Sequence, residues 1–446
     1  MSSRLSVEGT PATKVRSTAS TASVFNYPHG HLGYLSPQQE EALTNFKNVL
    51  EERGIWKRGP PPSHNDQTLL RYLRARRWIV EDAYVQFKES EDWRAANSLD
   101  ELYRTIDRDA YEESRRVYPQ WTGRRDRRGI PLYVFEIRHL DSKTISAYEK
   151  SPHNAKLKGL KTDGHTSISL LKLFALYENL TNFAHPFCTQ LTDRESADVP
   201  VTMSTNIVDV SGVGLKQFWN LKGHMQAASQ LATAHYPETL DRIFIIGAPM
   251  FFSTVWGWIK RWFDPITVSK IFILGSHEVK PVLESFIDPK NIPKKYGGEL
   301  DFTWGQLPVN DPSWDGVVEW DNGYTSFPTG PLLWEDVDGE DKIACYSMGS
   351  TDGQPQHVKV CTVPRTWHQP AAETPAEAVT TTTTTNGTAD AAVETGEQTP
   401  MTSEATQTAD EQDEATQTGD DLTVEKLKIN DTTTETTTPT AAAVVA

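Results

Sequence analysis

Residues 243–259 read Ile-Phe-Ile-Ile-Gly-Ala-Pro-Met-Phe-Phe-Ser-Thr-Val-Trp-Gly-Trp-Ile, 17 positions without a charge between Asp241-Arg242 and Lys260-Arg261. A helix that crosses a bilayer needs about 20 consecutive apolar residues. This run falls short, and Gly247 and Pro249 interrupt it, so it divides into a β-branched strand over 242–247 and a separate helix over 251–263. Helical spacing sets Phe252, Val255, Trp256, Ile259, Trp262 and Phe263 on one face and Ser253, Thr254, Gly257, Lys260 and Arg261 on the other; Trp258 lies off the apolar stripe. Three tryptophans beside a Lys-Arg pair suit a membrane interface, where an indole sits between acyl chain and headgroup. The plainer alternative is a helix docked by its apolar face onto a sheet.

The next segment, Asp264-Pro-Ile-Thr-Val-Ser-Lys-Ile-Phe-Ile-Leu274, offers Asp264 as an N-cap and Pro265 at the first helical position, with Thr267 and Lys270 three apart on one face. Backbone N–H groups, a hydroxyl and an ammonium brought to one helix terminus suit a phosphate. Lys270 stands among Ile266, Val268, Ile271 and Ile273, so its charge requires a partner, either a ligand anion or an internal carboxylate.

Upstream, strand-like residues 130–137, an apolar helix over 170–183, a strand over 201–210 and a helix over 216–235 alternate before the strand at 242–247. Repeated β-α-β with buried strands specifies an α/β fold, a mostly parallel sheet flanked by helices. Gly212-Val-Gly214 lacks the third glycine of a dinucleotide fingerprint and reads as a strand-to-helix turn. Before the sheet lies a small helical unit. Ser36-Pro37 with Gln39 forms a capping box ahead of Leu43, Phe46 and Leu50; Asp66 is placed to cap a second helix, Leu69-Leu-Arg-Tyr-Leu-Arg-Ala-Arg76; a third spans 80–96. Residues 300–365, rich in Trp, Gly and Pro, are expected to form loops and short strands on the body.

The formal charge of −16 belongs largely to residues 369–446, which carry 15 Asp or Glu against two Lys and contain no aromatic residue. Such a segment is expected to be disordered and solvated. The nearly neutral body provides no basic stripe for nucleic acid. Cys188, Cys345 and Cys361 form no C-x-x-C pair and fit a reducing compartment. The N-terminus lacks the apolar core of a secretory signal, so the cytosol is expected. The chain has no G-x-S-x-G, no G-x-x-x-x-G-K-[ST], no H-E-x-x-H and no His/Asp/Glu group at metal-ligand spacing. Neither an enzyme nor a metal or cofactor protein is indicated. The run Arg124-Arg-Asp-Arg-Arg128 reads as a solvated hairpin or an anionic-membrane contact.

The helical unit, Tyr118-Pro-Gln120, the Asp264-to-Leu274 segment and Ile292-Pro-Lys-Lys-Tyr-Gly-Gly298 together resemble the CRAL-TRIO family, and within it the fungal secretory-pathway transfer proteins for phosphatidylinositol and phosphatidylcholine. The resemblance covers residues 36–300. It implies a helical unit packed on an α/β domain with a deep apolar lipid pocket closed by a gating helix, here residues 251–263. On that basis the chain divides into an unstructured segment (1–33), the helical unit (34–98), the lipid-binding domain (105–300), a C-terminal extension (301–368) and the acidic tail (369–446).

The family's inositol-phosphate ligands fall on Arg76, Glu238, Thr267 and Lys270: Thr267 and Lys270 grip phosphate, and Glu238 accepts from inositol hydroxyls and pairs with Lys270. At the second-lipid site Tyr133 and Ser204 match, whereas Thr122 replaces a Tyr and Asn206 a Thr. An aromatic and a hydroxyl are lost there, and a quaternary ammonium depends on aromatic faces. A sterol or another phospholipid therefore stands beside phosphatidylcholine as the second ligand.

Lifting a diacyl lipid from a bilayer exposes about 30 methylenes at ~0.8 kcal/mol each, on the order of 25 kcal/mol, which only a nearly closed apolar pocket offsets. The expected function is transfer of phosphatidylinositol in exchange for a second lipid, in support of phosphoinositide metabolism and vesicle traffic. The protein would be a monomer that touches Golgi or endosomal membranes reversibly, with Trp256, Trp258 and Trp262 entering the interface. Bound phospholipid is cargo, not cofactor. Two rivals are a non-transferring sensor that presents phosphatidylinositol to a lipid kinase, and a lipid hydrolase, for which the nucleophile motif is missing.

Overall fold

Ser36 starts the first helix through the expected reciprocal cap: its hydroxyl accepts the Gln39 N–H, and the Gln39 side chain accepts the Ser36 N–H at 3.0 Å. The computed structural model describes residues 27–157, 159–262 and 265–368. Residues 1–26, Lys158, Phe263, Asp264 and 369–446 lie outside the described residues, and with them the expected disorder of both termini, the place of Phe263 on the gating helix and the Asp264 cap.

Helices α1 (Pro37–Glu52), α2 (Asp66–Ala75) and α3 (Val80–Ala96) enclose Leu43, Phe46, Leu50, Leu69, Leu73 and Phe87. Asn65, not Asp66, caps α2, accepting the Thr68 N–H at 2.9 Å, while Asp66 is taken up by Lys47 at 2.7 Å. Residues 27–33, expected to be unstructured, are packed down: Tyr27 is buried and its hydroxyl donates to the Val199 carbonyl at 2.9 Å.

Two short helices, α4 (Leu99–Thr105) and α5 (Arg108–Arg115), lead into the sheet. Strands β1 (Gln120–Arg125), β2 (Pro131–Glu136), β3 (Ser204–Asp209), β4 (Leu240–Ile246) and β5 (Ile271–Ile273) pair in chain order. Only β1 runs antiparallel to its neighbour. The expected mostly parallel sheet flanked by helices is borne out, with β1 an addition that the sequence did not mark. Between β2 and β3 come α6 (Ser142–Glu149), α7 (Ile168–Asn179) and α8 (His185–Gln190), the last two joined by a π-turn over Leu180–Ala184. Helix α9 (Leu215–His235) returns the chain to β4, and α10 (Phe252–Ile259) and α11 (Pro265–Ser269) return it to β5. One face of the sheet packs Phe135, Val208 and Ile245 against α7, α9 and α10; the other packs Leu132, Val134, Ile207 and Phe244 under α12 (Val279–Phe286).

Residues 301–368 are more regular than expected. Strands β6 (Glu319–Trp320), β7 (Leu332–Asp336), β8 (Lys342–Ser347), the small hairpin β9 (Ser350–Thr351) and β10 (Gln354–Pro355), and β11 (Val358–Pro364) include an antiparallel four-stranded sheet ordered β6-β11-β8-β7. Phe327 seats this sheet on the π-turn region, its ring 4.8 Å from Phe183 and 5.2 Å from Phe187. Gly123, at φ +84°, permits the approach: a Cβ there would stand 2.2 Å from the Val309 carbonyl oxygen, in the segment whose N–H donates to Thr122 O.

Candidate lipid-binding site

Strand β4 leaves the sheet at Gly247, where a side chain would run into the Ser211 hydroxyl. Pro249 and a fully exposed Met250 follow, and then α10. Its inner face is the expected one: Phe252, Val255 and Ile259 are buried, and the half-buried Trp256 stacks on Phe252 at 6.4 Å. Ser253, Thr254 and Trp258 face outward. The helix tightens into a 3₁₀ turn over Lys260–Trp262. Beneath α10 lies a cavity of about 50 Å³ with an entirely apolar lining, in which Val208, Phe218, Met225 and Ile245 face Val255 and Trp256. A diacyl lipid needs a volume at or above the ~1,000 Å³ upper range of ordinary ligand sites, so cargo of that size enters only if α10 withdraws.

Four headgroup positions were expected to share one polar end of this chamber. Glu238 and Lys270 do meet: the ammonium donates to Glu238 Oε2 at 3.1 Å and to the Leu240 carbonyl at 2.9 Å, with both side chains largely buried. Glu238 is held with φ +57°, in the left-handed region that a non-glycine residue occupies only under constraint. Thr267 is buried on the five-residue α11, and its carbonyl accepts the Lys270 N–H at 3.0 Å. Arg76 is different. It occupies the C-cap of α2, half-buried, and its guanidinium makes no ion pair among the described residues.

The arginine that senses Glu238 is Arg74. Desolvation brings its guanidinium down to about 10, with Glu238 opposing the shift. It donates to Gly30 O at 3.2 Å, and its Nε is buried without a hydrogen-bond partner. His31 completes the group: burial, with Arg74 and more weakly Lys270 adding to it, keeps its ring well below the ordinary histidine range. Arg74 follows Leu70 by four residues and so stays on the packed side of α2, whereas Arg76 lies past the last helical turn. That periodicity is the sequence signal that sets Arg74 on the packed side of the helix.

None of these polar residues lines the cavity, so the two do not form one void. Leu240, whose carbonyl accepts from Lys270, and Ile245, which lines the cavity, stand five residues apart on β4, a separation of about 17 Å at ~3.3 Å per strand residue. Phe174, Tyr177 and Tyr236 pack together on the sheet face that carries the cavity, with Phe174 and Tyr236 stacked at 5.5 Å.

At the second-lipid positions, Tyr133 and Asn206 are direct partners across β2 and β3, and Asn206 Nδ2 donates to Ser204 Oγ at 3.0 Å. These three share a face. Thr122 does not: its hydroxyl donates to the Leu132 carbonyl at 3.0 Å, and the residue opposite Tyr133 is Trp121. Trp121 thus places an aromatic side chain on the Tyr133 face. The basic run at 124–128 turns between β1 and β2 but is mostly not solvated, since Arg125 pairs with Asp193 at 2.7 Å and Arg128 with Asp126 at 3.0 Å and with Asp241, leaving Arg127 as the exposed member. Asp107, Asp109 and His153 bring ligand atoms within 4.8 Å of one another, a grouping hidden in the sequence by a separation of more than 40 residues. One Asp107 oxygen already caps α5 through the Ala110 N–H.

A helical unit packed on a mostly parallel sheet, with an apolar cavity shut by an amphipathic helix, has the architecture of a domain that encloses a hydrophobic ligand. Residues 115–298 match the CRAL/TRIO domain model and residues 32–89 the CRAL/TRIO N-terminal domain model, and the chain belongs to this family. It is 31% identical to the SEC14 cytosolic factor of Eremothecium gossypii over 275 residues, 61% of this chain and 80% of that one. It is 30% identical to the Sec14 cytosolic factor of Schizosaccharomyces pombe, over 63% of this chain and 89% of that one. The phosphatidylinositol/phosphatidylcholine transfer protein SFH9 of Arabidopsis thaliana is 29% identical over 62% of this chain and 45% of its own. The C-terminal sheet lies beyond the matched domains. Among the described residues no helix is long and apolar enough to cross a membrane.

Proposed function

We propose that the protein withdraws phosphatidylinositol from a membrane, carries it beneath α10 and exchanges it for a second lipid, acting by binding and release without covalent chemistry. The observation that carries this reading is the wholly apolar cavity closed by α10, a helix that shows Trp258 to solvent and is followed by Lys260-Arg261. The polar group of Glu238, Thr267 and Lys270, with Arg74 beside it, suits the headgroup. Its distance from the cavity, about 17 Å along β4, is comparable with the ~15 Å of one leaflet's acyl chains, half of a ~30 Å hydrocarbon core. Cargo laid along β4 would displace the aromatic packing of Phe174, Tyr177 and Tyr236 and lift α10. Names of relatives such as SFH9 support phosphatidylinositol as one ligand and phosphatidylcholine as the other. The face of Trp121, Tyr133, Ser204 and Asn206 retains an aromatic wall but has an amide where a hydroxyl was expected.

Mass spectrometry of lipid co-purifying with the full chain, followed by transfer between donor and acceptor vesicles, tests the proposal. Intact phosphatidylinositol and its vesicle-to-vesicle transfer are expected. Lipid that co-purifies but never transfers would favour a sensor that presents lipid to a kinase, and free fatty acid in its place would point to hydrolysis.

A further inference from the structure

The inner face of α9 contributes Phe218, Leu221 and Met225 to the cavity, and its outer face also carries two large apolar residues at its start. Leu215 and Trp219 stand one helical turn apart there, and Trp219 is 59% exposed, against 40% for Trp258. The Trp219 ring meets Trp258 of α10 edge-on at 6.1 Å, which joins the outer surfaces of the two helices. Trp258 and Met250 are exposed as well, so Leu215, Trp219, Trp258 and, in the link just before α10, Met250 are large apolar groups left in solvent. Lys222 Nζ lies 5.3 Å from the Trp219 ring centroid, and Lys216, Lys260 and Arg261 are exposed on the same two elements.

Charge identifies the partner. No Asp or Glu occurs between residues 210 and 237, nor between 242 and 263, in a chain whose formal charge is −16. The charges that α9, α10 and the turn after it carry beside these apolar groups are all cationic, the nearest acidic residues of the adjoining α6 being Asp141, just before it, and Glu149 at its far end. Exposed indoles beside these cations match an acidic headgroup layer, because apolar insertion and electrostatic attraction to anionic lipid add.

We infer that the outer face of α9 joins the gating helix in a docking surface for an anionic lipid leaflet, with Trp219 as an anchor independent of the gate. This rests on the transfer reading for its purpose, but vesicle binding can be measured apart from cargo. Co-sedimentation of the full chain with vesicles of phosphatidylcholine alone, and of phosphatidylcholine mixed with phosphatidylserine, provides the test. Wild-type protein is expected to prefer the mixed vesicles and to lose that preference in high salt. The Lys216→Gln/Lys222→Gln variant is expected to bind mixed vesicles roughly 25-fold more weakly, about fivefold per cation. Trp219→Ala should weaken binding to both kinds of vesicle. The amount of co-purifying lipid should be unchanged in both variants, since neither touches the cavity lining. Equal partitioning of wild-type protein between the two compositions, or variants that bind mixed vesicles as wild type does, overturns the inference. Wild-type protein that prefers mixed vesicles yet carries no phospholipid would retain the docking surface and reject the transfer proposal.

Discussion

Lys270 allows a cargo ligand to be separated from an internal ion pair. Its ammonium lies 3.1 Å from Glu238 Oε2 and 2.9 Å from Leu240 O, and the two side chains are 13% and 16% exposed. Removing one partner of a fully buried pair costs about 3–5 kcal/mol, and an exposed pair contributes ~0–1 kcal/mol, so Lys270→Met should cost about 2 kcal/mol. In a body of this size that lowers Tm by about 2–4 °C. A cargo role adds a second loss. One charge-assisted hydrogen bond to a phosphate oxygen is worth ~2 kcal/mol, so phosphatidylinositol affinity should fall about 30-fold. The double variant Glu238→Gln/Lys270→Met removes both charges while keeping the side-chain shape at the left-handed position; it should regain most of the stability and none of the affinity. Thermal unfolding and phosphatidylinositol transfer, measured on the same preparations, read the two effects. If Lys270→Met melts early yet transfers phosphatidylinositol at the wild-type rate, the lysine is structural only, and the headgroup must be sought elsewhere.

Three further outcomes follow from the geometry. Burial, aided by Arg94, holds the His235 imidazole at about 4, with the ring stacked on Trp93 at 4.1 Å. The unfolded chain takes up this proton near pH 6.5 and the folded chain does not, so the contribution is complete above that pH and is lost as pH falls toward 4. It amounts to on the order of 3 kcal/mol, and His235→Gln should flatten urea-midpoint profiles across this window. Gly123→Ala places a Cβ 2.2 Å from Val309 O at φ +84° and should cost about 2–3 kcal/mol by denaturant titration; a loss under 0.5 kcal/mol would mean that the C-terminal segment docks differently. Truncation after residue 300 strips Trp314, Phe327 and Trp334 from Trp121, Phe183 and Phe187, and should yield aggregating protein by size-exclusion chromatography even though both matched domains remain whole.

Local signals were legible because their partners sit a few residues away. Ser36 and Gln39 cap α1 within one turn, and the β-branched strands with intervening helices specify a parallel sheet whatever lies farther off. What was misread depends on distant contacts. The run at 124–128 looks solvated until Asp193 and Asp241 arrive from other elements to pair with it. Thr122 and Trp121 exchange roles through a face assignment that only strand pairing settles, since a shift of one position turns a side chain to the other side of the sheet. Arg74 and Arg76 are separated by where α2 stops, and Trp219 meets Trp258 only because α9 and α10 become neighbours in space. The C-terminal strands are short, and an aromatic cluster holds them where periodicity offers little signal.

The size of the cavity bears on how such a carrier can work. An apolar void of the ~1,000 Å³ that a phospholipid needs, left unfilled, would cost about 24 cal/mol per Å³, on the order of 24 kcal/mol. That exceeds the ~5–15 kcal/mol by which a domain is stable. A chamber of that size would therefore not stand open without contents, and with α10 seated the space is only about 50 Å³. A chain that releases lipid must bring Val255, Trp256 and Ile259 down onto Val208 and Ile245, or take up another lipid before the gate leaves the bilayer. The second course avoids rebuilding the aromatic packing of Phe174, Tyr177 and Tyr236 twice in each cycle, so exchange at the membrane surface should be faster than net one-way delivery. Transfer into acceptor vesicles that lack any second ligand should accordingly slow; an unchanged rate would mean that the chamber closes on itself as readily as it refills.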